Sequence, residues 1–174
     1  MKTKGTYQDV VFSTASNKKL DSIIKHINLE KDFTDAYHCT ITYSKIPVPY
    51  LKTSKDVKQD KTGNAVSKIS KLATIKSFGH FKTPEGKNLH VELECDWLNQ
   101  RFIYAKSKGA ISDYDEYTPH ITLLYNCTNI RKNFDIEQID MSKFIGQKIE
   151  IVEERISPLN ENWVEDSSTD KDKK

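Results

Sequence analysis

Several things are missing from this 174-residue chain, and each absence removes a class of function. There are three cysteines, Cys39, Cys95 and Cys127, an odd number and widely separated. With no CxxC and no histidine at zinc-ligand spacing, neither a disulfide scaffold nor a structural zinc site is indicated. The cysteines read as unpaired thiols of a reducing compartment. No apolar run is long enough for a membrane span, and no secretory h-region opens the chain, so it reads as soluble, intracellular and without a membrane partner. Charge of one sign is also missing. With 27 basic and 25 acidic side chains the net charge is +2, which argues against a protein that coats long nucleic acid through a large positive field. A small anionic ligand in a local pocket remains compatible. Finally, no carboxylate cluster or Cys/His set calls for a metal, and no cofactor is implied.

What is present is a repeated strand. The segment YTPHITLLY (117–125) reads as a β-strand with His120 and Thr122 on one face and Ile121 and Leu123 on the other. The segment YHCTITY (37–43) repeats it. Aligned on their histidines, the two share Thr at +2, an aliphatic residue at +3 and Tyr at +5. They lie 120 − 38 = 82 positions apart, one in each half of the chain. His26, His80 and His90 lack Thr at +2. A half-chain repeat marks an internally duplicated architecture.

The remaining pattern alternates strands and helices. Tyr7–Ser13 reads as a strand. Ser13, Thr14 and Ser16 offer N-caps to an amphipathic helix carrying Leu20, Ile23, Ile24 and Ile27. Residues 71–83 and 89–95 read as strands joined by a PEGKN turn. Asp96 is the expected cap of a helix to about Lys108, with Leu98, Phe102 and Ala105 inward and Gly109 ending it. Residues 148–156 form a last strand. Segment 44–70, broken by Pro47 and Pro49 and rich in mixed charge, is expected to be either a lid over the site or disordered. Tyr43 and Tyr125, at odd offsets from the histidines, are expected to point into the core. This order of elements is an α+β arrangement with approximate twofold internal similarity, and two sheets facing each other across a cleft would bring both His/Thr pairs together. Residues 1–164 form that one domain, and the charged tail 165–174 is expected to lack order.

Two histidines flanking one phosphate suit phosphodiester transfer without a metal. A neutral imidazole removes a proton from the attacking oxygen and an imidazolium protonates the leaving one, both forms being accessible near pH 6.5. The threonine hydroxyls can hydrogen-bond the nonbridging oxygens as charge grows there.

Paired H-x-T-[aliphatic] strands, HCTI at 38–41 and HITL at 120–123, resemble the 2H phosphoesterase superfamily. The resemblance implies a bilobal α+β fold, two antiparallel sheets with pseudo-twofold symmetry around a central cleft, with His38, Thr40, His120 and Thr122 as catalytic residues. Within it, the stretches YHCTITYSK (37–45), FKTPEGKNLHVEL (81–93) and DYDEYTPHITLLYN (113–126), with Tyr7, Pro158, Leu159 and Trp163, look most like the phage anti-CBASS nucleases. These destroy cyclic oligonucleotide messengers of bacterial defence. That resemblance implies substrate contacts from Tyr7, Phe81 (where the family pattern carries tryptophan), Trp163 and a late glutamate among Glu150, Glu153 and Glu154, of which Glu154 is taken.

The implied activity is cleavage of 3′–5′ bonds in cyclic di- or trinucleotides such as 3′,3′-cGAMP, by attack of the ribose 2′-hydroxyl, in the cytoplasm of a bacterial host. Two alternatives stand beside it. One is an RNA 2′,3′-cyclic or 2′,5′-oligoadenylate phosphodiesterase; the other is a sponge that binds cyclic nucleotides without cutting them. The sequence leaves open which histidine is base and which acid, and whether the protein forms a homo-oligomer.

Overall fold

The computed structural model describes residues 4–84, 86–113 and 116–159. In chain order its elements are β1 (Thr6–Phe12), α1 (Thr14–His26), β2 (His38–Ser44), β3 (Ala65–Gly79), a small hairpin of β4 (Lys82–Thr83) and β5 (Gly86–Lys87), β6 (Leu89–Glu94), α2 (Asp96–Ser107), β7 (His120–Leu124), the short α3 (Cys127–Ile130) and β8 (Lys148–Pro158). Six strands close into one antiparallel barrel in the order β1-β2-β7-β6-β3-β8, with β8 returning to β1.

This overturns the bilobal expectation. The two halves do not form separate sheets facing each other across a cleft, and the fold is mainly β rather than evenly α+β. The long strands make the difference. The 15-residue β3 and 11-residue β8 pair along most of their length. β8 also pairs with β1, so sheet edges that would bound two lobes are used up in a single closed ladder. Closure of this kind removes the exposed edges that separate sheets would leave. Register shifts at Lys68/Lys71 and Ile75/Ser77 interrupt β3, where bulges let a strand bend around a barrel.

The helices follow the sequence periodicity. Ser13 caps α1, its hydroxyl accepting the Ser16 N–H at 3.1 Å, and Leu20, Ile23 and Ile24 are buried. Cys95, not Asp96, occupies the N-cap of α2 and makes no side-chain cap bond; Asp96 lies in the first turn, where a carboxylate suits the helix dipole. Gly109 follows the C-cap Lys108 with φ +106°, a conformation costly for other residues. Side chains of both helices pack with Cys39, Ile41, Ile121 and Leu123 into one core.

Of segment 44–70, Ser44 ends β2, residues 65–70 belong to β3, and 45–64 is ordered against the barrel. Val48 and Leu51 are fully buried against Ala105, Ala110 and Ile156. The Gln59 side-chain amide donates to the carbonyls of Val48 and Leu51. Two apolar residues in a polar run were enough to dock it. The described residues end at Leu159, so the tail 165–174 lies outside them. All three cysteines are buried and free, and burial pushes the Cys39 thiol up to about 12. No helix among the described residues is long and apolar enough to cross a membrane.

Candidate active site

The two histidine strands lie side by side in one sheet. β2 pairs with β7 through Cys39↔Ile121. One step either way along that antiparallel pair sets Thr40 opposite His120 and His38 opposite Thr122. Cys39, Ile41, Ile121 and Leu123 are buried, whereas His38, Thr40, His120 and Thr122 are half-buried on the other face. Directly opposed residues bring their Cβ atoms to about 5 Å, and diagonal ones such as His38 and His120 to about 7–8 Å, a gap that a phosphate group can fill.

Both imidazoles are held the same way. His120 Nδ1 donates to the Thr118 carbonyl at 3.0 Å and His38 Nδ1 to the Ala36 carbonyl at 3.4 Å. A carbonyl oxygen only accepts, so Nδ1 carries the hydrogen and Nε2 is left as the titrating atom. Burial lowers the pKa of His120, and the His38 charge adds to that; the Thr118 carbonyl opposes it. Tyr117 braces the seam. Its hydroxyl donates to the Thr40 carbonyl at 2.8 Å and its ring stacks on Phe102 at 4.7 Å.

Two other expected residues join this cluster. The Tyr7 hydroxyl is 2.7 Å from Thr40 Oγ1. Phe81, 42% exposed, stands 5.2 Å from the His120 ring. Glu154 is not brought to the cluster. It is fully buried, with Oε2 accepting from Gln8 Nε2 at 2.8 Å and from Arg101 Nε at 2.9 Å, and Oε1 accepting from the Ser54 N–H at 2.7 Å. Trp163 lies outside the described residues. Tyr125 departs from the core expectation: it falls just beyond β7, is 46% exposed, and its ring meets Phe33 edge-on. Tyr43 is half-buried.

A third histidine, His90, belongs to the site although it lacks Thr at +2. It pairs in register with Thr122, is 2% exposed, and carries the Phe81 ring stacked on it at 4.0 Å and 17°. Its own ring is 5.5 Å from that of His120. A side chain at Gly79 would place Cβ 3.2 Å from His90 Nε2, so glycine leaves room for the ring. The alternation of LHVELE, with β6 lying next to β7, is the signal that could have found it. The other two histidines are structural. His80 Nδ1 donates to the Asn88 carbonyl while Nε2 accepts the Ile136 N–H, and His26 bonds the Asp140 carbonyl.

Burial, with the nearby His120 charge, lowers the His90 pKa to about 4, against the partial opposition of Glu92. The sign is that of a base kept neutral. As pH falls below 6.5 the unfolded chain takes up this proton and the folded one does not, so stability present above pH 6.5 is lost down to about pH 4. The loss amounts to about 3 kcal/mol at most. Urea unfolding followed from pH 7 to 4 should show it, with a flatter profile for His90→Gln; equal slopes for both proteins would refute the assignment.

Beside His38 opens a cavity of about 360 Å³ lined by Tyr7, Asp9, Asp35, Tyr125 and Arg155 among others. Among the described residues no group of three or more His, Cys, Asp or Glu is arranged to hold a metal ion.

A closed antiparallel barrel carries two H-x-T units abreast on one face, with a ring platform and a cavity beside them. The family model described as "Anti-CBASS protein Acb1" matches residues 4–166, and the chain belongs to that family. Among similar proteins, the Anti-CBASS protein Acb1 of Vibrio phage KVP40 is 28% identical over 168 residues, covering 94% of this chain and 93% of its own. That of Enterobacteria phage T4 is 28% identical over 166 residues, 93% of each. That of Yersinia phage phiR1-RT is 35% identical over 89 residues, about half of either chain.

Proposed function

We propose that this protein is a phosphodiesterase of the two-histidine (2H) type that opens 3′–5′ bonds in cyclic di- and trinucleotide messengers, and that it thereby lets a phage evade CBASS defence in the bacterial cytoplasm. The observation that carries the reading is the Cys39↔Ile121 pair, which sets two imidazoles and two hydroxyls on one patch. Membership of the anti-CBASS family supports it independently.

In this reading the scissile phosphate sits between His38 and His120, its nonbridging oxygens toward Thr40 and Thr122. The substrate 2′-hydroxyl attacks phosphorus and gives its proton to one Nε2; the bond to the 5′-oxygen breaks, and that oxygen takes a proton from the other Nε2. The product is a 2′,3′-cyclic phosphate and a free 5′-hydroxyl, with no net proton gained or lost. His120, kept neutral by burial, suits the base, which leaves the other proton transfer to His38. Each proton transfer contributes about 10²–10⁴-fold. Phe81, seated on His90, offers a face for a nucleobase; stacking of this kind gives about 1–3 kcal/mol per base and tolerates any base. Both proton transfers belong to side chains and none to a metal.

The test is 3′,3′-cGAMP incubated with the protein in EDTA and resolved by chromatography. A linear product ending in a 2′,3′-cyclic phosphate is expected. Intact ligand recovered after heating the complex would instead identify a sponge, and cleavage confined to linear 2′,5′ or 2′,3′-cyclic substrates would identify the other phosphodiesterase classes.

A further inference from the structure

We infer that Arg155, aimed by Asp9, holds the phosphate of the cyclic nucleotide that is not being cut. The inference rests on the proposed function above and names a contact which that reading leaves unassigned. Strand pairings place one transverse row of side chains across the sheet. Glu92 pairs with His120, Thr40 stands opposite His120, Asp9 pairs with Thr40, and Arg155 pairs with Asp9. Arg155 is therefore two strands from Thr40, roughly 10 Å at the backbone. Its side chain can reach back over part of that distance. One nucleotide unit bridges such a span, so a second phosphate of the same ring falls within its reach.

The side-chain geometry supports the assignment. Arg155 donates Nε–H to Asp9 Oδ1 at 2.9 Å and Nη2–H to Asp9 Oδ2 at 2.6 Å. Asp9 is 3% exposed and has its guanidinium partner in a fixed fork, whereas the Arg155 side chain is 40% exposed and lines the cavity beside His38. The fork uses two of five N–H groups, and three remain for an acceptor. Guanidinium groups suit phosphate oxygens in paired geometry.

Asp9 and Asp35 offset the positive charge in the cavity, so the interaction is short-range hydrogen bonding rather than a broad attractive field. The cavity, at about 360 Å³, is at the small end of ligand pockets (about 300–1,000 Å³), enough for one nucleotide unit and not the whole macrocycle. A phosphate is also the feature that every cyclic messenger shares, whichever bases it carries.

The experiment compares three ligands by titration calorimetry in the His120→Ala background, where nothing is consumed. They are 3′,3′-cGAMP and cyclic di-AMP, each with two phosphates, and the linear dinucleoside monophosphate ApA, which has one. Arg155→Met should reduce the preference for both cyclic ligands over ApA by roughly 10- to 100-fold, the range of a charge-assisted hydrogen bond. Because Arg155→Met strands a buried carboxylate, the pair Asp9→Asn with Arg155→Met serves as the variant that leaves no unpaired charge, and it should show the same collapse. Equal weakening of all three ligands, an unchanged preference, or a loss confined to cGAMP would each overturn the inference. Parent protein that binds the cyclic ligands no better than ApA overturns it too. Wild-type protein that cleaves neither cyclic ligand, beside a preference that collapses with Arg155→Met, counts against the proposed function and leaves this contact supported.

Discussion

His120→Ala is expected to lower turnover of 3′,3′-cGAMP by about 10²–10⁴-fold while its Kd stays within a few-fold of the parent, because the imidazole acts on the proton in flight more than on the bound ligand. His38→Ala should match it. The double variant should fall little further than either single one, since residues that work as one unit lose their joint effect when the first is removed. The pH profile gives a second readout. Burial holds the His120 pKa below 6.5, so kcat/KM should hold as pH falls through 6.5 and decline only below it, as the base is captured by a proton. Stopped assays across pH 4–9, paired with binding titrations, check both statements. Undiminished turnover in either single variant would remove the histidine from the chemistry.

Glu154→Ala is expected to cost about 3–5 kcal/mol of stability, the usual range when one partner of a buried ion pair is removed. Arg101, itself 8% exposed, would keep its charge with Nε and Nη2 unmatched by a carboxylate. Gln8 and the Ser54 N–H would lose their acceptor as well. Out of the 5–15 kcal/mol typical of a domain, that is a large share, and Tm should fall on the order of 10 °C. The effect should appear equally with and without nucleotide, because Glu154 lies on the face away from Asp9, Arg155 and the histidines. A Glu154→Ala protein of normal Tm that has lost cyclic-nucleotide binding would instead return this glutamate to the ligand.

Local patterns carried the elements well. The 3.6-residue spacing of Leu20, Ile23 and Ile24 marked α1, and the alternation of His38-Cys39-Thr40-Ile41 and His120-Ile121-Thr122-Leu123 marked the half-buried face that carries the candidate site and its buried back. Closure into a barrel depends instead on which distant strands pair. Asp9 and Arg155 are 146 positions apart, and nothing in VEERI distinguishes the arginine that meets Asp9 from any solvated charge. His90 escaped because its partner residues sit on a different strand, so no motif within its own segment reveals them. Segment 45–64 misled because charge and proline outnumber the two apolar residues, Val48 and Leu51, that fix it to the barrel. Glu154, assigned to ligand by resemblance, is closed off by donors from three separate parts of the chain, Gln8, Ser54 and Arg101, and Thr42 in turn donates to Gln8.

The meeting of β2 with β7 at Cys39↔Ile121 also limits how this chain can change in length. Because strand side chains alternate, one residue inserted into either strand would turn its imidazole and hydroxyl inward and push Cys39 or Ile121 out. Insertions between α2 and β7, or in the stretch from Cys127 to Gln147, leave that parity untouched. Relatives of this protein are thus free to vary in loop size, provided that the residue count within the two short segments holding the histidines stays the same.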